Sequence, residues 1–107
     1  MGITERDNRV LQVFASRIRE QFPEARVWVY GSRARGEAQE DSDFDMCIVV
    51  ERLDERADQR IRDTAFEVGW ENEVLITTVT YSCEQFERGP FSVSPLVLNI
   101  HREGIPA

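Results

Sequence analysis

Lysine is absent from this 107-residue sequence, and all 13 of its basic residues are arginine. Its absence excludes Schiff-base catalysis by lysine and the lysine of a P-loop. The one histidine, His101, excludes a metal site with several histidine ligands. The two cysteines, Cys47 and Cys83, are too few for a disulfide framework, so we expect reduced thiols in a cytoplasmic protein.

Long apolar segments are absent as well. No apolar run approaches the roughly 20 residues that span a bilayer, and the first residues lack a signal-peptide core, so we expect no membrane contact. The net charge of −7 disfavours general nucleic-acid binding, because such binding depends on a basic surface. An anionic substrate of so acidic a chain requires local positive charge or a metal ion.

The residues that are present predict one globular domain over residues 1–107. Hydrophobic residues make up 41% of the chain, and charged residues are interleaved with them, which is typical of a folded domain with a single core. The sequence contains no internal repeat and no low-complexity tract that would indicate a linker.

Helical spacing of apolar residues and capping signals predict five helical segments. At the first of them, Thr4 and Asp7 resemble a capping box. At the last, Ser94 and Pro95 form a start signal, and Gly104 is expected to end the helix. The predicted helical segments cover residues 4–22, 34–39, 57–69, 83–88 and 94–104.

Three segments rich in β-branched and aromatic residues predict strands, which cover Arg26–Tyr30, Asp43–Val50 and Glu73–Ser82. Strands that alternate with helices indicate an α/β (α+β) fold. We therefore expect a small mixed β-sheet of about three strands flanked by helices.

Two aspartates open the second predicted strand. Asp43 and Asp45 lie two residues apart, so their side chains are expected to point to one side of the sheet while Phe44 points into the core. Two carboxylates in that arrangement can hold a hard divalent cation. The alternative is that Asp41 and Ser42 form a turn that Asp43 caps, but a second charge at Asp45, inside an apolar strand, is costly unless something pairs with it.

A glycine-serine turn follows the first predicted strand. Gly31 permits close backbone approach or a positive φ, and free N–H groups of the turn can then point at an anion. Ser32 adds a hydroxyl donor. Arg33 and Arg35 can neutralise phosphate charge, although one of them could instead pair with Glu37 on the surface.

The stretch GSRARG followed by Asp43-x-Asp45 resembles the DNA polymerase beta-like nucleotidyltransferases. It is most similar to their minimal branch, the MNT domains that are often paired with HEPN-domain proteins. The resemblance covers nearly the whole chain in element order. It implies that Gly31 and Ser32 hold the phosphates of ATP or another NTP, that Asp43 and Asp45 hold Mg²⁺ or Mn²⁺, and that a nucleotidyl group, such as adenylyl, is transferred to an acceptor.

The sequence departs from that family at one position. Members usually carry a third carboxylate on the strand after the long helix, and the apolar part of the corresponding segment contains none. Glu73, just before it, is a weak candidate for the catalytic base, with an exposed charge at the strand start as the alternative. The leading interpretation is a transferase with an antitoxin-like role, and the other is a degenerate antitoxin that binds a HEPN-type partner without chemistry.

The short length leaves no room for an acceptor-binding domain of the kind that larger family members carry. We therefore expect either a homodimer or a separate protein, of the HEPN type, to complete the site. Phe91 and Val93, in a proline-bounded loop, either contact such a partner or cover the core.

Overall fold

The computed structural model describes residues 2–39 and 41–107, and its elements follow the predicted order with one strand added. Each long helix starts at a side-chain cap, since Thr4 and Asp54 accept hydrogen bonds from the backbone N–H groups of Asp7 and Ala57. The elements in chain order are α1 Glu5–Gln21, β1 Arg26–Tyr30, α2 Ser32–Arg35, β2 Phe44–Val50, α3 Glu55–Asn72, β3 Ile76–Ser82, α4 Cys83–Glu87, a 3₁₀ helix Pro90–Val93, α5 Pro95–Glu103 and β4 Ile105–Pro106.

The four strands form one mixed sheet in the order β3-β2-β1-β4. Strand β1 is antiparallel to both β2 and β4, whereas β2 and β3 are parallel because α3 connects them as a crossover. The predicted fold class is confirmed. The strand missing from the prediction, β4, has only two residues and includes a proline, so its sequence carries no strand pattern.

Strand β2 divides the interior into two faces. Phe44, Met46 and Ile48 point to one side and pack with α1 and α3, in what we call the α1/α3 face. Cys47 and Val49 point to the other side and pack with α4 and α5, in the α4/α5 face. The predicted orientation of Phe44 into the core is confirmed, since it is fully buried.

Four predicted boundaries were wrong. Helix α3 does not end near Gly69 but continues to Asn72, and Gly69 is needed inside it because a Cβ there would lie 2.6 Å from the carbonyl oxygen of Val74. This continuation moves the start of β3 from Glu73 to Ile76. The helical turn predicted over 34–39 begins earlier, at Ser32, and ends where Gly36 adopts a left-handed conformation with φ of 74°.

Two further details concern caps and exposed residues. Asp7 donates its backbone N–H to Thr4 as predicted, but its carboxylate is buried and pairs with Arg33, so it does not complete a capping box. Phe91 and Val93 are each at least half exposed, although the ring of Phe91 packs on Tyr81, with ring centroids 5.9 Å apart. Their contact with a partner stays a prediction. No helix in the described part of the chain is long and apolar enough to cross a membrane.

Candidate active site

Asp45 lies in the middle of the sheet at the start of β2. Its cross-strand neighbours are Tyr30 on β1 and Thr77 on β3, and its side chain points toward the α4/α5 face. The hydroxyl of Thr77 donates a hydrogen bond to Oδ1 of Asp45 at 2.8 Å. Asp45 is half-buried.

Gly31 brings the turn after β1 against this carboxylate. Its φ is 76° and its ψ is −154°, a region that essentially only glycine occupies. A Cβ at this position would lie 2.7 Å from Oδ2 of Asp45, so the backbone and the carboxylate meet because no side chain separates them. The glycine-serine turn and the aspartate strand, which are distant in sequence, therefore form one site.

Ser32 follows at the first position of α2. It is half-buried, and within residues 2–39 and 41–107 no group hydrogen-bonds to its hydroxyl. Its carbonyl accepts the N–H of Glu37 at 2.9 Å, which closes the loop after the one-turn helix. The hydroxyl of Ser32 is thus available to a ligand beside Gly31.

Asp43 lies one residue before β2 and is exposed. Among the described residues, no arginine forms an ion pair with Asp43 or Asp45, and no group of three or more histidine, cysteine or acidic side chains could hold a metal. Two carboxylates fit a hard cation such as Mg²⁺, which takes oxygen ligands and usually keeps several waters or phosphate oxygens. The donor set therefore fits a cation that is shared with a nucleotide.

Tyr30, the cross-strand neighbour of Asp45 on β1, adds a phenol to the surroundings of the carboxylate. Burial, together with the negative charge of Asp45, raises the pKa of Tyr30 to about 12. The phenol therefore stays protonated at neutral pH and remains a hydrogen-bond donor.

Arg33, predicted to contact phosphate, lies elsewhere. Its side chain is 5% exposed and forms an ion pair with Asp7 on α1 at 3.1 Å. It also donates to the carbonyl of Ser42 at 2.7 Å, and its guanidinium lies 5.2 Å from the ring centroid of Phe44. These contacts join α1, α2 and the segment before β2, so the geometry favours a role for Arg33 in positioning the turn and the aspartates.

Arg35 is the exposed arginine of the predicted pair. It binds Glu37 at 2.9 Å and Glu103 at 3.5 Å. The hydrogen bond that the Arg35 guanidinium donates to Glu37 is the main cause that raises its pKa, so the group stays charged. Because exposed ion pairs are weak, a phosphate can displace these carboxylates at little cost.

Sequence comparison identifies the family. Residues 11–104 match the family described as nucleotidyltransferase domain, which is most of the chain. This protein belongs to the nucleotidyltransferase domain family. Membership supports nucleotidyl transfer in general, and domains of this family generally use an NTP and a divalent metal ion.

Solved structures agree on the fold. The crystal structure of a Sulfolobus solfataricus protein, provisionally assigned as a nucleotidyltransferase, aligns with a TM-score of 0.52 and 17% sequence identity. The alignment covers 95% of this chain and 82% of the other. At this identity the match shows the fold alone. No curated protein matches the chain.

Glu73, the weak candidate for the base, lies at the end of α3. Glu73 caps the C-terminus of α3 with φ of 57° and lines a groove beside α3 together with Phe66 and Trp70. Thr78, on the α1/α3 side of β3, lines the same groove, whereas Asp45 and Thr77 point to the opposite side. The geometry therefore does not favour Glu73 as the base.

Thr77 is the site residue that the sequence analysis missed. It is the β3 residue opposite Asp45, on the same side of the sheet, so a carboxylate at this position would lie beside the carboxylate of Asp45. Its role could not be read from the segment ITTVTYS, because Thr77, Thr78 and Thr80 are not distinguished by any local pattern. Only the parallel register singles it out.

Proposed function

We propose that this nucleotidyltransferase transfers an adenylyl group from Mg-ATP to a partner protein of the HEPN type, in an antitoxin-like role. The observation that carries the proposal is the contact between the Gly31 turn and Asp45, a carboxylate whose described hydrogen-bond partner is a neutral hydroxyl. No described arginine pairs with this carboxylate, so it is open to a metal ion. The resemblance to MNT domains supports the choice of nucleotide and partner.

The residues divide the work between nucleotide and metal. Asp43 and Asp45 would hold the cation, while the turn at Gly31 and the hydroxyl of Ser32 would receive the phosphates. Arg35 would exchange its carboxylate partners for a phosphate of the nucleotide. A Mg²⁺ ion held by these residues would supply charge neutralisation at the reacting phosphate.

Deprotonation of the acceptor hydroxyl is the step for which the described residues offer no carboxylate base. The position beside Asp45 on β3 is Thr77, whose hydroxyl donates a hydrogen bond to Asp45 and is not a base. General-base assistance typically contributes ~10²–10⁴-fold to a rate. We therefore infer that the chain alone binds Mg-ATP and transfers slowly, and that a residue of the partner protein restores the rate.

The presence of Thr77 also favours a second candidate function. If the partner supplies no base, the domain is a binding module that occupies a HEPN-type protein and retains nucleotide binding without transfer. The two candidates predict the same nucleotide site and differ only in the chemistry at the acceptor.

Nucleotide binding is tested first, by thermal unfolding with and without Mg-ATP. A ligand that binds only the folded state raises the melting temperature. We expect a rise for wild type, none for Asp45→Asn, and an unchanged rise for Asp63→Asn, an exposed aspartate on α3. An equal rise in wild type and Asp45→Asn would overturn the metal assignment.

Transfer is tested second, by incubating the chain with labelled ATP, Mg²⁺ and a candidate HEPN-type protein, followed by intact mass of both proteins. The proposal expects one adenylyl increment on the partner and much less label on any acceptor when the partner is omitted. ATP binding without transfer under every condition would favour the binding module. Fast transfer by the chain alone would refute the dependence on a partner.

A further inference from the structure

An apolar groove of about 920 Å³ lies between α3 and β3, on the side of the sheet away from Asp45. Three of its lining side chains are large and open to solvent: Phe66 is 72% exposed, Trp70 is 77% exposed and Leu75 is 64% exposed. Phe66 and Trp70 stack on each other, with ring centroids 6.4 Å apart and an angle of 19° between the planes. A cluster of this kind is expected to contact another macromolecule.

The strand beside the groove is also unprotected. Strand β3 lies at the edge of the sheet, next to β2 on its inner side. Its segment ITTVTYS contains no charged residue and no proline, the two devices that commonly keep edge strands from pairing. The aromatic cluster and the uncharged edge thus occur at the same place on the molecule.

The groove side of α3 carries an ordered stripe, which we define as Arg62, Phe66, Trp70 and Glu73. Arg62, Phe66 and Trp70 follow one another at intervals of four residues and share one face of α3, and Glu73 comes next as the C-cap of the helix. All four line the groove. The two aromatic residues lie in the middle, and opposite charges lie at the two ends. Arg62 contacts Asp58 at 3.3 Å but remains more than half exposed, and no described residue forms an ion pair with Glu73.

This stripe is complementary to itself. If a second α3 lies antiparallel across it, Phe66 faces Trp70 of the second copy, and Arg62 faces its Glu73. The aromatic pairing is centred at residue 68 and the charge pairing between residues 67 and 68, about 0.75 Å away along the helix axis, so one two-fold axis can serve both. An interface between identical chains requires this property, because each contact must occur twice.

We propose that the groove between α3 and β3 is a homodimer interface, occupied by the same stripe of a second copy of this chain. The aromatic centre supplies the affinity, since it must overcome the repulsion between two chains of net charge −7. The charges at the ends fix the antiparallel orientation. The site at Asp45 lies on the other side of the sheet and stays open in this dimer.

Sedimentation equilibrium tests the aromatic centre. We expect a concentration-dependent dimer for wild type, and at least about a 30-fold rise in the dimer Kd for Trp70→Ala, as for a central aromatic residue of an interface. Val13→Ala is the control, because Val13 is an exposed aliphatic residue of α1 that does not line the groove. Its Kd should equal that of wild type, and circular dichroism should show all three chains folded.

Charge reversal tests the pairing. Arg62→Glu and Glu73→Arg should each weaken the dimer by about tenfold or more, since each places like charges together twice. The double variant Arg62→Glu with Glu73→Arg should return the Kd to within a few-fold of wild type. The proposal would be overturned by a monomeric wild type, by a dimer that is insensitive to Trp70→Ala, or by a double variant whose Kd is not restored. It would also be overturned if wild type is monomeric and a different protein binds in this groove.

Discussion

Asp7 and Asp45 are carboxylates that lie close to opposite faces of one sheet, and their surroundings differ in the charge of the partner. Asp7 is buried in the first turn of α1 and is neutralised by Arg33 at 3.1 Å. Asp45 is half-buried and accepts a hydrogen bond from the neutral hydroxyl of Thr77 at 2.8 Å. In the first case the fold supplies the counter-charge, whereas in the second the charge is left for a ligand.

This difference separates a structural ion pair from a site. The ion pair of Asp7 and Arg33 connects the segments that carry the turn and the aspartates, so it affects the site only by positioning those segments. Asp45 contacts the turn itself through Gly31. The four predictions that follow test this contrast in order of decreasing effect on stability.

The largest effect is expected for Arg33→Met. This change leaves Asp7 buried without its cation, and breaking a buried pair in this way costs about 3–5 kcal/mol. Arg35→Met, which removes only exposed pairs, should cost less than about 1 kcal/mol. Urea unfolding measures both. The double change Asp7→Leu with Arg33→Met should recover part of the loss, and an Arg33→Met protein as stable as wild type would show that the pair does not support the fold.

Gly31→Ala should come next. The backbone conformation of Gly31 costs a residue with a side chain about 1–3 kcal/mol, and the added Cβ also meets Oδ2 of Asp45. Nucleotide binding should fall sharply because the carboxylate must move. The cost in unfolding free energy should be smaller when Asp45→Ala is also present, since one clash is then removed. Equal costs in both backgrounds would show that the turn and Asp45 are not coupled.

Thr77→Val should cost about 1 kcal/mol, the typical net value of one hydrogen bond, because the half-buried carboxylate of Asp45 can be rehydrated. Thr77→Asp is the more informative change. Without metal it should destabilise the fold by adding a like charge beside Asp45, and with Mn²⁺ it should gain more stability than wild type gains. A Thr77→Asp protein with no added response to Mn²⁺ would show that this position does not reach the metal.

The last prediction, for which no change in stability is expected, concerns how far solvent reaches into the α4/α5 face beside Asp45. Cys47 lies two residues after Asp45 on the same side of β2 but is fully buried, and burial raises the pKa of its thiol to about 12. Cys83 is partly exposed. At pH 8 an aromatic disulfide reagent should therefore label one thiol in the folded protein and two after unfolding. Rapid labelling of both thiols in the folded state would place solvent further into this face than the structure does.

Much of the fold could be predicted because its signals are local. The bounds of β1 and the cap and start of α5 were predicted as observed, since strand composition and the Ser94–Pro95 signal act over a few residues. The errors at Gly69 and Glu73 have one cause. Glycine is ordinarily a helix terminator, but here it lies within α3 where the carbonyl of Val74 passes too close for any side chain.

The sequence by itself determined the α/β order, the resemblance to nucleotidyltransferases and the spacing that relates Gly31 to Asp43 and Asp45. Only the tertiary structure decided that Arg33 pairs with Asp7, that Glu73 lies beside α3 and that Thr77 is the neighbour of Asp45. The physical reason is that a charge or a hydroxyl acquires its role from the group opposite it. That group is supplied by strand register and helix packing across 26 residues for Arg33 and 32 residues for Thr77, beyond the reach of any local pattern.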